Sequence, residues 1–144
     1  SKPLLYSGSI IKDIMLEFKD GKVVNYSASS NQQVLKNIID YDEESSYLGE
    51  VALVDYDSKI SNTNILFYET LFDENASCHI ALGRGFRECL EKGNDLNDLE
   101  LEEVGYDKSR NHVDVMIGTK DLEIIAKTRD DLEIELFKNG GFCI

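Results

Sequence analysis

The sequence predicts an α+β protein, mainly antiparallel sheet with a few short helices. Two observations point there. Apolar residues alternate along several short segments, Ile14-Leu16-Phe18, Leu122-Ile124-Ala126 and Leu132-Ile134-Leu136, as in half-buried strands. Only one long segment, around Val34, Leu35, Ile38 and Ile39, has helical spacing. With 144 residues, 42% of them apolar, the chain suits one hydrophobic core, and a single domain over residues 1–144 is expected.

Residues 10 to 28 read as a β-hairpin whose Asp20-Gly21 turn tolerates positive φ. The helix follows from Asn31 to Tyr41, with Ser29, Ser30 or Asn31 available to cap it. After the polar stretch Asp42 to Ser46, Leu48 to Val54 reads as a mostly buried strand. Asn62 to Leu71 is expected as a helix, although Phe67, Tyr68 and Phe72 also suit a strand. Ser77 to Leu82 is a strand, Phe86 to Leu90 a short helix ending before Gly93, and Asn94 to Val104 a solvated loop with one helical turn. From His112 onward, three late strands imply a mainly antiparallel sheet.

Lys plus Arg is 15 and Asp plus Glu is 28, giving a net charge of −13. That excess repels phosphate backbones and anionic lipid surfaces, so neither nucleic acid nor membrane is an expected partner. No apolar run approaches the roughly 20 residues that span a bilayer. Cys78, Cys89 and Cys143 cannot all pair within one chain and match no zinc ribbon or redox motif. A reducing, cytoplasmic setting is the simplest expectation.

Chemistry concentrates in few residues. His112 and Asp114, two apart on a strand, project to the same side. Glu50 begins an otherwise apolar strand, where a carboxylate is costly to bury unless paired or metal-bound. With His79 these residues supply two imidazoles and two carboxylates, a donor set suited to Zn, Co or Mn. Taken one at a time, each histidine is more often structural than a ligand. Asp73-Glu74-Asn75 is either a solvated turn or a source of a supporting carboxylate. Cys78 faces away from its neighbour His79 and reads as a small buried hydrophobe. Gly83 and Gly85 do not make a dinucleotide fingerprint.

The runs Leu48-Gly49-Glu50-Val51-Ala52-Leu53-Val54, Thr70 to Gly83 and His112-Val113-Asp114-Val115-Met116-Ile117-Gly118 resemble successive blocks of the aminopeptidase T, aminopeptidase S and PepS family of metallo-aminopeptidases. The resemblance covers nearly the whole chain. It implies the C-terminal segment of a larger two-domain metallopeptidase, a fragment of the catalytic unit without the N-terminal domain. It further implies Glu50, His79, His112 and Asp114 as ligands of two divalent metals, Zn or Co with Mn as an option. The family's general-base glutamate is expected upstream of Ser1, and its active-site tyrosine falls on Phe86, which has no hydroxyl. Asp107 and Val115 stand where the family usually has Asn and Phe. The implied partners are peptides with a free N-terminus, and the implied assembly is a homodimer. The isolated chain is expected to have little or no activity. The alternatives are a non-catalytic metal-binding or assembly module, or an acidic domain whose motif residues are structural.

Overall fold

The computed structural model describes residues 1–143. Two hairpins and a helix form its first layer. β1 (Leu4–Tyr6) and β2 (Ser9–Ile11) pair about Ser7-Gly8, with φ of 47° and 76°. Positive φ at both central residues gives the tight turn whose twist matches its strands. β3 (Met15–Lys19) and β4 (Lys22–Ser27) pair about Asp20-Gly21, with φ of 52° and 79°. The second hairpin is the expected one; the first, short and followed immediately by another strand, was not anticipated.

α1 (Gln32–Ile39) buries Leu35, Ile38 and Ile39. None of the expected caps serves. Asn31 lies at φ 54° with no side-chain cap bond. Its side-chain Nδ2 and the Ser30 hydroxyl instead donate to the Ile10 carbonyl, at 2.8 and 3.0 Å. The polar side chains before α1 therefore fasten the helix to β2.

The second layer is an antiparallel sheet, ordered β5 (Leu48–Ala52), β6 (His79–Gly83), β7 (His112–Met116). Leu82, Val113 and Val115 join Leu4, Ile11, Ile14, Val23 and the α1 residues in one core cluster. Strand alternation then turns His79, Ala81, His112 and Asp114 to the opposite face. β5 departs from the expected burial, because it is an edge strand with one side unpaired: Val51 is 62% exposed, and Leu48 and Leu53 are also exposed.

β7 pairs with β6 and not with the two strands that follow it. β8 (Ile124–Lys127), β9 (Glu133–Lys138) and β10 (Gly141–Phe142) make a separate antiparallel sheet in the order β10-β9-β8. The three late strands are thus divided between two sheets. Asn62 to Leu71 is not a helix. A 3₁₀ turn at Ser61–Thr63 precedes an irregular stretch, and α2 (Thr70–Asp73) is a single turn. Positive φ at Asn64 and Tyr68, 55° each, interrupts any continuous helix there. Further short elements are 3₁₀ turns at Glu74–Ala76 and Arg87–Cys89, the latter in place of the expected short helix. α3 (Asp98–Glu103) opens on a capping box formed by Asn97 and Glu100.

Candidate metal centre

The site is built across three strands. Glu50 on β5 lies opposite Ala81 on β6, which lies opposite Asp114 on β7. Ala81 is small and buried, so two carboxylates flank it from either side. His79 lies two residues before Ala81 and His112 two before Asp114, on the same face.

A β-bulge brings Glu50 to that face. Leu48 pairs with Leu82 and Glu50 with the next residue along β6, Ala81, leaving Gly49 as the extra, unpaired residue. Without this extra residue Glu50 would align with Ile80, on the face of the core. Only glycine fits at position 49, where a Cβ would lie 1.8 Å from the Gly83 carbonyl oxygen.

The side chains converge. His79 Nε2 is 3.3 Å from Glu50 Oε1 and 4.0 Å from Asp114 Oδ1. His112 Nε2 is 3.5 Å from Glu50 Oε2 and 3.2 Å from Asp114 Oδ1. Glu50 thus offers one oxygen to each imidazole, while Asp114 Oδ1 lies between them. Glu50, His79 and Asp114 form the tightest group, with one ligand atom from each all within 4.8 Å of one another. His112 adjoins it through the two carboxylates.

The backbone aims both rings. His79 Nδ1–H donates to the Ser77 carbonyl at 3.2 Å, and His112 Nδ1–H donates to the Arg84 carbonyl at 2.6 Å. A carbonyl only accepts, so each Nδ1 carries hydrogen and each Nε2 is directed at the carboxylates. His112 is pushed up to about 9: its hydrogen bond to Asp114 raises it most, against burial, with help from Arg84 and Glu50. In the metal-free chain its charge partly offsets the carboxylates.

Glu74 belongs to this neighbourhood. Its carboxyl contacts that of Asp114 and is pushed up, first by burial and then by the Asp114 charge. The sequence left the Asp73-Glu74-Asn75 segment open between a solvated turn and a supporting carboxylate. The buried Asp73 supplies the missing constraint: it accepts hydrogen bonds from the Phe67 and Glu69 amides, at 2.9 and 3.2 Å, and fixes the turn carrying Glu74. Phe86 lies edge-on to His112, with ring centroids 5.1 Å apart. Cys78 is buried as expected, its sulfur 3.3 Å from both the amide nitrogen and the carbonyl oxygen of Val54.

Oriented imidazoles and clustered carboxylates with few donors of their own fit a divalent cation that accepts mixed nitrogen and oxygen ligands. This is the donor chemistry of a hydrolytic metal centre. The chain belongs to the thermophilic metalloprotease (M29) family, whose profile matches residues 1–142. Aminopeptidase AmpS of Bacillus subtilis is 46% identical over 99% of this chain, and Aminopeptidase T of Thermus aquaticus is 38% identical over all of it. The structure titled wild-type AmpT from Thermus thermophilus is 35% identical, with a TM-score of 0.91 over the whole chain. In each case the chain spans 35% of the relative's own length.

Proposed function

We propose that this chain forms part of the catalytic unit of a metal-dependent aminopeptidase that removes N-terminal residues from peptides. Glu50, His79, His112 and Asp114 are its metal ligands, holding two divalent ions, with zinc or cobalt preferred and manganese an alternative. The observation that carries this reading is the reach of Glu50 and Asp114, each to both imidazoles, across Ala81. The aminopeptidase names of the relatives supply the reaction class.

Bound there, a divalent ion would acidify a coordinated water and polarise a peptide carbonyl. The chain's own residues organise the surroundings. Ser77 and Arg84 hold the imidazole planes through their carbonyls, and the Gly49 bulge presents Glu50. The chain's overall surplus of acidic charge, −13, favours the approach of a cationic peptide terminus. We place the whole protein in the cytoplasm as a homodimer; the cytoplasmic reading draws on three cysteines that are all free.

The test has two stages. Calorimetric titration with zinc should detect binding to the chain and its loss in His79→Ala. The whole protein should then hydrolyse unblocked dipeptides but not N-acetylated ones, while this chain alone shows little turnover. Phe86 favours a second reading, a non-catalytic metal-binding module, because its ring has no oxygen to offer a metal or an oxyanion. Metal binding by a whole protein that is inactive on every unblocked peptide selects that second reading.

A further inference from the structure

The two histidines are held unequally by their surroundings. His79 begins β6, the central strand of its sheet, and its side chain is 8% exposed; His112 begins β7, an outer strand, and is 25% exposed. Close packing restrains the first ring, whereas the second depends more on the loop that follows β6. That loop meets it twice. The Arg84 carbonyl accepts from Nδ1, and the Phe86 ring stands edge-on to the imidazole.

The Arg84 carbonyl is anchored in turn. Arg84 C=O and Gly85 N–H belong to one planar trans peptide, so they point in opposite directions. The Gly85 N–H donates to the Asp107 carbonyl at 3.0 Å, and the Arg84 N–H donates to the Asn111 carbonyl at 2.7 Å. The 84–85 peptide therefore cannot swing its oxygen away from His112 without breaking the bond to Asp107.

Residues 106–111 belong to no helix or strand, so a side chain must fix that acceptor. Asp107 Oδ1 accepts from the Ser109 amide at 2.8 Å. An aspartate bonded to the amide two residues on closes an Asx turn, which sets the plane of the intervening 107–108 peptide and the direction of its carbonyl. Oδ2 is buried with no hydrogen-bond partner among the described residues, so the turn uses one oxygen of the two. The Ser109 hydroxyl serves Asp42 instead, and the two carboxylates engage different groups of one residue.

We infer that Asp107 is a positioning residue for His112: its Asx turn aims the carbonyl that anchors the 84–85 peptide, and this peptide fixes the imidazole plane. The inference deepens the metal-centre reading and rests on it for its effect on binding. Partners that orient a ligating histidine are commonly worth about 10–100-fold in metal affinity, and Asp107, acting one peptide further out, belongs at the lower end.

Nuclear magnetic resonance of the metal-free chain can follow the ring through solvent exchange of the His112 Nδ1 proton. Asp107→Ala should speed that exchange about tenfold, as for a weakened hydrogen bond, and leave the His79 Nδ1 proton unchanged. Asp107→Asn keeps an accepting oxygen for the Ser109 amide and should restore the parent rate. Asp107→Ser, whose hydroxyl makes the same turn more weakly, should fall between. Calorimetric titration with zinc should follow the same order, with binding about tenfold weaker in Asp107→Ala. Thermal denaturation identifies a variant that has lost its fold, and Asp107→Ser carries the comparison if Asp107→Ala has done so. An unchanged His112 proton in the folded variant, equal acceleration at both histidines, or no rescue by Asp107→Asn each overturns the inference. Faster exchange at His112 with unaltered zinc affinity upholds the positioning role and removes His112 from the metal ligands.

Discussion

Asp42 and Asp114 are both conspicuous carboxylates, and they have opposite surroundings. Asp42 accepts hydrogen bonds from the Ser45 amide and hydroxyl, the Ser109 hydroxyl and the Arg110 amide, at 2.6 to 2.9 Å. Burial pushes its carboxyl up, but these donors outweigh burial and hold it down to about 2. Asp114 is buried beside Glu50, and its carboxylate lies against the imidazoles of His79 and His112 and the carboxyl of Glu74. Satisfied acceptors make a structural tie; crowded acceptors with few donors have capacity left for a cation. The number of acidic residues does not separate the two places, whereas the supply of donors does.

The sharpest test of this contrast is metal addition. Zinc at a thousandfold excess over its dissociation constant should stabilise the chain by about 4 kcal/mol if it binds only the folded state. Thermal or chemical denaturation should show that gain, and its loss on chelation and in Asp114→Asn. The next effect is on the other carboxylate. Asp42→Ala should cost about 3 kcal/mol, because it leaves the largely buried Ser45 and Ser109 hydroxyls and two amides without their acceptor. Calorimetry should find the zinc dissociation constant unchanged in that variant. If either substitution produced the other's signature, the distinction would fail.

Acid should separate the sites further. The folded value of Asp42 lies below its ordinary 3.8, so its stabilisation is complete above pH 3.8 and is lost as pH falls through about 2. Denaturation of the metal-free chain across that interval should show a smaller loss in Asp42→Asn than in the parent protein. The smallest expected effect is Phe86→Tyr. The side chain is 49% exposed, so stability should change by no more than about 0.5 kcal/mol. Its readout is turnover in the whole protein, which the added hydroxyl should raise if the aminopeptidase reading holds.

The extent to which the sequence disclosed this centre varies by residue. His112 and Asp114 were placed together by strand alternation alone, since β7 is regular over its length. Glu50 was identified by its cost of burial and by resemblance, but alternation would have put it on the Leu48 face. Only the bulge, a tertiary contact of Gly49 with Gly83, reverses that. Hairpin β3–β4 was legible because Asp20-Gly21 specifies its turn locally. Assignment of β7 to β6, away from β8 and β9, was not, because nothing in a strand's own alternation names its partner. The α3 start was legible but missed: Asn97 and Glu100 have the spacing of a capping box, obscured by the acidic residues around them.

The cysteines give the molecule a built-in means of observation. Cys78 is buried against Val54, whereas Cys89 borders a cleft beside β5 and Cys143 follows β10 in the separate sheet, both exposed. A maleimide label at low excess should therefore mark two thiols and spare the one behind His79. Replacing Cys143 with serine would leave Cys89 as a single attachment point for a fluorophore. That dye, near Glu50, would report on metal addition in a chain that contains no tryptophan of its own.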